Sequence, residues 1–397
     1  MYDNDKKIYS FKEYETIEIE EVNPQIIQVI KDSFSNYIKP YRHLFDDKYS
    51  LEASHFVGCF SIEENQFQIN PKINMDNFFY VISKVYDLVR YIEKTVEFST
   101  ASELIEHLLK MLIQETERLL RQGLFSRYIA YQEWLNMIRG RIIMKSLVNH
   151  FWDPSQLECA YHQYSPDVLE NQLVLKALKN APKIPTITIT PARINSLINK
   201  LWAVTEKDLK GKDVDRVIFN KLNNRYKTAL ALSRFFLDNI GLKNEAQGTQ
   251  IKGFFIDMNK LFEKYIERVL DKEDWGNIEI KKQSSESFAN LHEFTIRPDI
   301  LFVENDKTRL VLDIKYKEST KPSQNDMYQM NAYSDHFDSD VVLVYPSQKA
   351  GEKEYKLPNE HSLYTTYLNL NSPQIENEEF GFIERIKSIM NENAKLI

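Results

Sequence analysis

The sequence comprises 397 residues, which is long enough for two or three domains with a sizeable core. Hydrophobic residues make up 43% and charged residues 27%, so a wholly disordered chain is excluded. The formal net charge of −7 argues against a protein that coats nucleic acid by bulk electrostatics, and any DNA contact must therefore be local or supported by a partner.

Cysteine usage and hydropathy indicate the cellular compartment in which the protein is expected. Cys59 and Cys159 lie a hundred positions apart, so they form neither a disulfide framework nor a zinc site with four cysteine ligands. The first residues are charged where a secretory signal needs an apolar segment, and no stretch of about 18 apolar residues occurs. We therefore expect a soluble, cytoplasmic protein without a membrane segment.

Residues 1–95 combine short β-type runs with one helical pattern near residues 24–38. The segment FVGCFSIEENQFQINPKI alternates apolar and polar residues around an ENQ turn and predicts a hairpin from Phe56 to Ile73. We expect a small mixed α/β domain over residues 1–95.

The pattern becomes helical from about residue 100 to residue 240. Apolar residues recur on one face of a helix that Ser102 opens and Gly123 closes: Leu104, Leu108, Leu109, Leu112, Ile113, Leu119 and Leu120. Further helices are expected at about 125–138, 167–181, 192–208 and 214–240. The loop-forming segment NEAQGTQIKG at 244–253 ends this helical middle domain, which we place at residues 96–245.

The remaining residues, 246–397, predict one further domain. A helix from Asp257 to Leu270 precedes strands at 278–283, 294–303 and 309–317, and a helix at about 323–337 leads to the apolar strand VVLVYP at 341–346. The resulting order is helix, three strands, helix, strand.

Two of these strands, FTIRPDILFV and RLVLDIKYK, flank the turn segment ENDKT. Their even-numbered positions are mostly apolar, so a period of two predicts that one face is core. The other face then carries the charged residues Arg297, Asp299, Asp313, Lys315 and Lys317.

A hairpin centred on Asp306 without a bulge pairs Val303 with Arg309 and places Asp299 opposite Asp313. Directly opposed side chains have Cβ atoms roughly 4.5–5.5 Å apart, and like charges there are destabilising unless a cation neutralises them. Mg²⁺ prefers oxygen ligands and retains some waters and phosphate oxygens. The two aspartates therefore predict a magnesium site, with Mn²⁺ as a substitute.

Other groups lie within reach of this pair. The carbonyl of Ile314 is a further metal ligand, and Lys315 lies beside the second aspartate, where its ammonium can orient an attacking water. On the preceding helix, Glu263 lies on the polar flank and is our candidate for a third carboxylate. On the following helix, Gln329 and Tyr333 are four residues apart and share one face.

The run RPDI followed by DIK resembles the PD-(D/E)xK nuclease signature, with Asp299, Asp313 and Lys315 in the signature positions. Gln329 and Tyr333 are similar to the QxxxY element of some of these nucleases. The resemblance implies a restriction-endonuclease-like αβββαβ core with the acidic pair, the lysine and this element as catalytic residues.

A narrower resemblance covers most of the chain. FFIDMNKLFEKYIERVL, RPDI, LDIKYK and YQMNAY resemble McrC-type nuclease subunits of McrBC modification-dependent restriction systems. MIRGRI at 137–142 and SPDVLENQLVLKAL at 165–178 look like the helical region of that family, and the hairpin segment is similar to its N-terminal β segment. The resemblance implies double-stranded, modified DNA as substrate.

The resemblance also implies a partner. McrC-type subunits cut DNA with an AAA+ GTPase motor, which their N-terminal part engages and stimulates. This sequence has no GxxxxGK[ST] loop, so the motor must be another polypeptide in a hetero-oligomer. Two alternatives remain: a catalytically silent assembly factor that only activates the motor, and a stand-alone nuclease of the RecB or Cas-associated type.

Overall fold

A computed structural model of the chain describes residues 7–19, 23–43, 48–88, 98–149, 155–185, 189–246, 249–282, 286–287 and 295–393. The strands are β1 Ile8–Lys12, β2 Thr16–Ile19, β3 Ile38–Arg42, β4 Tyr49–Ala53, β5 Phe56–Ile62, β6 Asn65–Asn70, β7 Arg127–Leu135, β8 Arg141–Ile142, β9 Leu157–Ser165, β10 Ile240–Ala246, β11 Thr249–Asp257, β12 Glu279–Lys282, β13 Glu286–Ser287, β14 Thr295–Ile296, β15 Ile300–Glu304, β16 Lys307–Ile314, β17 Asp340–Tyr345, β18 Lys353–Lys356 and β19 Ser362–Tyr367. The helices are α1 Pro24–Ser33, α2 Met75–Val85, α3 Ala101–Arg121, α4 Met144–Asn149, α5 Leu169–Asn180, α6 Pro191–Lys200, α7 Lys227–Asp238, α8 Met258–Leu270, α9 Gln324–Phe337 and α10 Ile375–Asn393.

The chain forms two compact units that are not contiguous in sequence. The first combines Met1–Gly58, Gln66–Ala101 and Phe255–Ile397, and the second combines Cys59–Asn65 and Ser102–Phe254. The division into domains at residues 1–95, 96–245 and 246–397 stays a prediction.

The first unit contains a six-stranded sheet in the order β12-β15-β16-β17-β19-β18. β15 and β16 are antiparallel, whereas β16, β17 and β19 run parallel to one another. Met330 of α9 packs in one buried cluster with Leu301, Val311 and Leu343, which stand on consecutive strands of the sheet. The sheet is therefore covered on the face that also carries the odd-numbered residues of β15 and β16.

The predicted order of helix, three strands, helix and strand is present in α8, β12, β15, β16, α9 and β17. The expected strand at 294–303 is interrupted, because Pro298 removes a backbone donor and the chain leaves the strand conformation at residues 297–299. The short strands β13 and β14 pair with each other before the interruption. Residues 283 and 294 of the predicted strands lie outside the described residues.

The hairpin of β15 and β16 contains a bulge, contrary to the prediction. Asn305 and Asp306 both have positive φ, of 50° and 61°, and form a two-residue turn. The turn pairs Glu304 with Lys307 and Val303 with Thr308. Arg309 is the extra residue on β16, so the predicted pairing of Val303 with Arg309 is wrong. Beyond the bulge, Leu301 pairs with Val311, which is the register that the prediction of Asp299 opposite Asp313 requires.

The second unit is less helical than predicted. The helices α3 and α5 confirm two predictions, α6 ends at Lys200, and α7 begins only at Lys227. The helix expected at 125–138 is wrong, because β7 pairs over nine residues with the distant β9. Cross-strand stacking of Tyr131 on Tyr161, with ring centroids 5.6 Å apart, supports this pairing.

Two further expectations are corrected. The segment 244–253 is not an irregular loop, since β10 and β11 occupy most of it. In the N-terminal part, the helix expected near 24–38 ends at Ser33, and the residues from Ile38 form β3. The hairpin expected from Phe56 is confirmed as β5 and β6.

A buried polar cluster joins three helices of the first unit. The Glu379 carboxylate on α10 accepts hydrogen bonds from the Tyr265 hydroxyl at 2.6 Å and the Tyr80 hydroxyl at 3.3 Å, and it pairs with the Lys84 ammonium. Lys84 and Tyr80 lie on α2, and Tyr265 lies on α8. Because each charged group is neutralised, the cluster fixes these helices without leaving a buried unpaired charge.

Candidate active site

The ends of β15 and β16 bring the two aspartates together. The last pair of the strand ladder is Ile300 with Leu312, so Asp299 and Asp313 follow next in the same register. The backbone N–H of Ile314 donates to Asp299 Oδ2 at 2.6 Å. This contact ties the irregular segment before β15 to the end of β16.

Burial and mutual repulsion dominate the electrostatics of the pair. Asp313 is only 2% exposed. Burial, followed by the charges of Asp313 and Glu263, raises the pKa of Asp299 to about 7, although the Ile314 N–H and the Lys315 ammonium oppose the shift. The pKa of Asp313 is also raised, first by burial, although Lys315 acts against this shift. The arrangement therefore favours binding of additional positive charge.

Lys315 supplies one such charge. Its Nζ lies 2.6 Å from Asp313 Oδ2 and donates to Gln329 Oε1 at 3.0 Å. Burial lowers the pKa of this lysine, but attraction to Asp313 and Asp299 outweighs burial and raises it above the ordinary value. The ammonium therefore stays charged beside the buried carboxylates.

Helix α9 closes the other side of the cluster. Gln329 Nε2 donates to the Tyr333 hydroxyl at 2.8 Å and lies 3.4 Å from Asp313 Oδ1. The Tyr333 hydroxyl in turn donates to the carbonyl of Arg297 at 3.0 Å. The Gln329 and Tyr333 pair thus links the helix to both strand ends, as their spacing of four residues allows.

Asp326 at the start of α9 is a site residue that the sequence reading missed. It forms a capping box with Ser323 and accepts a hydrogen bond from Lys317 Nζ at 2.5 Å. The pattern Ser-x-x-Asp before the helix was the available signal. The contact holds the N-terminus of α9, and with it Gln329, against the end of β16.

Glu263 is partly buried on α8, and the Asp257 side chain caps this helix by accepting from the Lys260 N–H. Its charge contributes to the raised pKa of both Asp299 and Asp313, which places it within electrostatic range of the pair. Hydrogen bonds and an ion pair thus join Asp313, Lys315, Gln329 and Tyr333 into one cluster. Asp299 is held next to it by the Ile314 N–H, and the charge of Glu263 acts on both aspartates.

The oxygen donors of the two aspartates suit a divalent ion. In the part of the chain that the structure describes, no group of three or more His, Cys, Asp or Glu side chains could hold a metal ion. Mg²⁺ is commonly held by only one or two carboxylates, with waters and phosphate oxygens completing the shell. Asp299 and Asp313 meet that requirement, and the buried Asp313 Oδ2 makes no regular hydrogen bond besides its ion pair.

The raised pKa of Asp299 predicts a pH-dependent stability of the metal-free chain. Between an unfolded pKa near 3.8 and a folded pKa of about 7, the folded state binds more protons, so stability falls as pH rises through this window. Asp299→Asn keeps an acceptor for the Ile314 N–H but removes the charge. We expect it to stabilise the chain by about 1–2 kcal/mol at pH 8 and not at pH 4, measured by urea unfolding in EDTA. An equal change in the free energy of unfolding at pH 8 and at pH 4 would contradict a raised pKa of Asp299 as the cause.

One family model and two solved structures are similar to this chain. The family described as McrBC 5-methylcytosine restriction system component matches residues 51–346. A chain from a refined half-complex of a tetradecameric assembly of Thermococcus gammatolerans McrB AAA+ hexamers with bound McrC shares the fold with a TM-score of 0.56 and 16% identity, covering 96% of this chain and 100% of that one. A chain of the Thermococcus gammatolerans McrBC complex, solved by cryo-electron microscopy, gives a TM-score of 0.40 and 17% identity over 68% of this chain and 90% of that one.

Two negative findings accompany these matches. No curated protein matches the sequence. Among the described helices, none combines the length and the apolar character needed to cross a bilayer. Because the family match spans well over half of the 397 residues, the chain belongs to the family of McrBC 5-methylcytosine restriction system components.

Proposed function

We propose that this chain is the Mg²⁺-dependent DNA endonuclease subunit of a McrBC-type restriction system and acts in defence against phage. The observation that carries the proposal is the convergence of Asp299, Asp313 and Lys315 at the ends of β15 and β16. Two acidic groups with raised pKa values next to a lysine are typical of phosphodiester hydrolysis with a metal ion. The motif order and the αβββαβ elements support membership of the PD-(D/E)xK nucleases.

Each side chain has a defined task in this reaction. Asp299 and Asp313, together with the Ile314 carbonyl and Glu263, would hold Mg²⁺ or Mn²⁺, which supplies Lewis acidity toward the scissile phosphate. The Lys315 ammonium, fixed by Asp313 and Gln329, orients the attacking water and offsets the charge that develops on the phosphate oxygens.

Gln329 and Tyr333 position these groups. Through hydrogen bonds to Lys315 and to the Arg297 carbonyl, they limit the rotamers of the lysine and fix the segment that carries Asp299. Such restriction matters because displacements of about 1 Å in a reacting group can cost about 100-fold in rate.

The proposal includes an AAA+ GTPase of the McrB type as partner, within a cytoplasmic hetero-oligomer that cuts double-stranded, modified DNA. Two findings support it: a structurally similar chain comes from an assembly of McrB AAA+ hexamers with bound McrC, and this sequence has no GxxxxGK[ST] phosphate loop of its own. The partner would recognise and translocate the DNA, and the present chain would cut it.

A catalytically silent assembly factor is the competing function, and metal binding separates the two. We expect calorimetric titration with Mn²⁺ to release heat for the wild-type chain and the affinity to fall at least about tenfold in Asp313→Asn. Asp306→Asn is the matched control, because Asp306 lies in the same hairpin but is exposed at a turn position that asparagine tolerates. Absence of heat from the wild-type chain would favour the silent factor.

A further inference from the structure

A cavity of about 280 Å³ lies at the carboxyl ends of the parallel strands β16 and β17. Its lining residues come from the segments that follow β16 and β17, from N-terminal segments of the same unit and from position 371. The ones used below are Tyr14, Lys72, Ile73, Tyr316, Lys317 and Pro346. Ligands of sheets with parallel strands often bind at this edge. The cavity plays no part in the reaction described above.

The cavity adjoins the proposed catalytic centre through β16 and α9. Tyr316 and Lys317 follow Lys315 directly in the sequence, and both line the cavity. Lys317 Nζ donates to Asp326, which caps the helix that carries Gln329. The cavity and the proposed catalytic centre are therefore connected by residues 315–317 and by the contact of Lys317 with Asp326.

Tyr14 is held in the cavity wall by a strained backbone. It is the third residue of a turn in which the Glu15 N–H donates to the Lys12 carbonyl at 3.1 Å, and its φ is +57°. A turn of this kind favours glycine at that position, so an aromatic residue there is a conformational cost. The Tyr14 side chain is 45% exposed, and Lys72 Nζ lies 5.0 Å from its ring centre.

A buried carboxyl group fixes two walls of the cavity. Glu13 has no exposed surface, and its Oε1 accepts hydrogen bonds from the Tyr316 hydroxyl at 2.7 Å and from the Lys72 backbone N–H at 2.9 Å. Glu13 Oε2 is buried without a hydrogen-bond partner. One group therefore anchors both Tyr316 and the Lys72 segment, and the cavity is preformed rather than shaped by a ligand.

We propose that this cavity is a subsite for one nucleotide of the DNA strand, next to the phosphate that is cut; the proposal rests on the proposed nuclease function. The exposed Tyr14 ring offers a stacking surface for an unpaired base, and Ile73 and Pro346 provide apolar walls. The Lys72 ammonium meets the phosphate. Glu318 at the same cavity is paired with Lys349, which reduces repulsion of an anion.

The subsite predicts that one base leaves its stack when DNA is bound. Unstacking costs a few kcal/mol in a duplex and less in an already unpaired strand. A strand with an unpaired nucleotide beside the cleaved phosphate should therefore bind more tightly than a fully paired one. Stacking on tyrosine tolerates every base, so this contact carries no sequence preference.

Binding to the full-length chain in EDTA tests the subsite without cleavage. The probes are 2′-deoxyadenosine 5′-monophosphate, inorganic phosphate and a fluorescent single strand of about eight nucleotides. Tyr14→Gly removes the ring and relieves the positive φ, so it is expected to fold at least as stably as the wild type. Tyr14→Phe keeps the ring, and Lys72→Met removes the ammonium while keeping the backbone bond to Glu13.

We expect Tyr14→Gly to lower the affinity for the mononucleotide and the oligonucleotide by about 5–150-fold. Tyr14→Phe should bind both with the wild-type affinity, and Lys72→Met should lower the affinity for all three probes. Equal mononucleotide affinity in wild type and Tyr14→Gly would overturn the subsite. A loss confined to the mononucleotide would assign the cavity to a free nucleotide and overturn the link to the DNA strand. A separate measurement tests the nuclease function itself: if that function is wrong, Asp313→Asn leaves DNA cleavage unchanged, whatever the binding measurements show.

Discussion

Asp313→Asn is expected to lower DNA cleavage by the assembled complex by at least about 1,000-fold, while partner binding and stimulation of GTP hydrolysis stay intact. The substitution keeps the size of the side chain and an acceptor for Gln329, but it removes the negative charge that would attract the metal and that now fixes Lys315. Cleavage of modified DNA with Mg²⁺ and GTP is the measurement, and the rate of GTP hydrolysis is followed in the same reaction.

The exposed turn residue Asp306 again provides the control, since Asp306→Asn makes the same chemical change in the same hairpin. It is expected to cleave at the wild-type rate. Unchanged cleavage by Asp313→Asn, with normal metal dependence, would remove the candidate site from the reaction.

Lys315→Met is expected to reduce the cleavage rate by about 100–10,000-fold without weakening metal binding. The reason is that the ammonium lies 2.6 Å from Asp313 Oδ2 and competes there with an incoming cation. Its removal should leave Mn²⁺ affinity equal or higher, whereas the water and the phosphate lose their positive partner. Single-turnover cleavage at saturating Mg²⁺ and calorimetry with Mn²⁺ measure the two effects.

Lys282→Met serves as the matched control for this lysine, because Lys282 forms a more exposed ion pair with Asp271 on the same sheet. Such surface pairs contribute at most about 1 kcal/mol, so cleavage should be unaffected. If Lys315→Met lost metal affinity and cleavage rate together, Lys315 would not act on the water and the phosphate alone. It would instead maintain the structure of the metal site.

The candidate cluster was accessible to sequence reasoning because its main members lie on one hairpin and one helix. A period of two and a short turn place Asp299 and Asp313 side by side, and a spacing of four joins Gln329 to Tyr333. The details at the turn were not accessible: two positive-φ residues, Asn305 and Asp306, shift the register by one position and create the bulge at Arg309.

Long-range pairing explains the larger errors. The sequence of β7 was assigned to a helix, because its partner β9 begins at Leu157 and local propensity does not reveal that pairing. Likewise the hairpin of β15 and β16 was expected to have one polar face, but Leu301 and Val311 on that face are buried beneath α9. The strained turn at Tyr14 has no local signal in the sequence, since tyrosine is not a residue that predicts positive φ.

The interleaving of the two units along the chain has a consequence during protein synthesis. The N-terminal segments leave the ribosome first, yet the Glu379 partner of Lys84 and Tyr265 belongs to α10, which follows every other described element in the sequence. Until then, helix α8 with Glu263 lacks the anion that fixes it. The unit that carries the candidate site is therefore completed only after α10 has been synthesised, so a nascent chain without α10 has an incomplete candidate site.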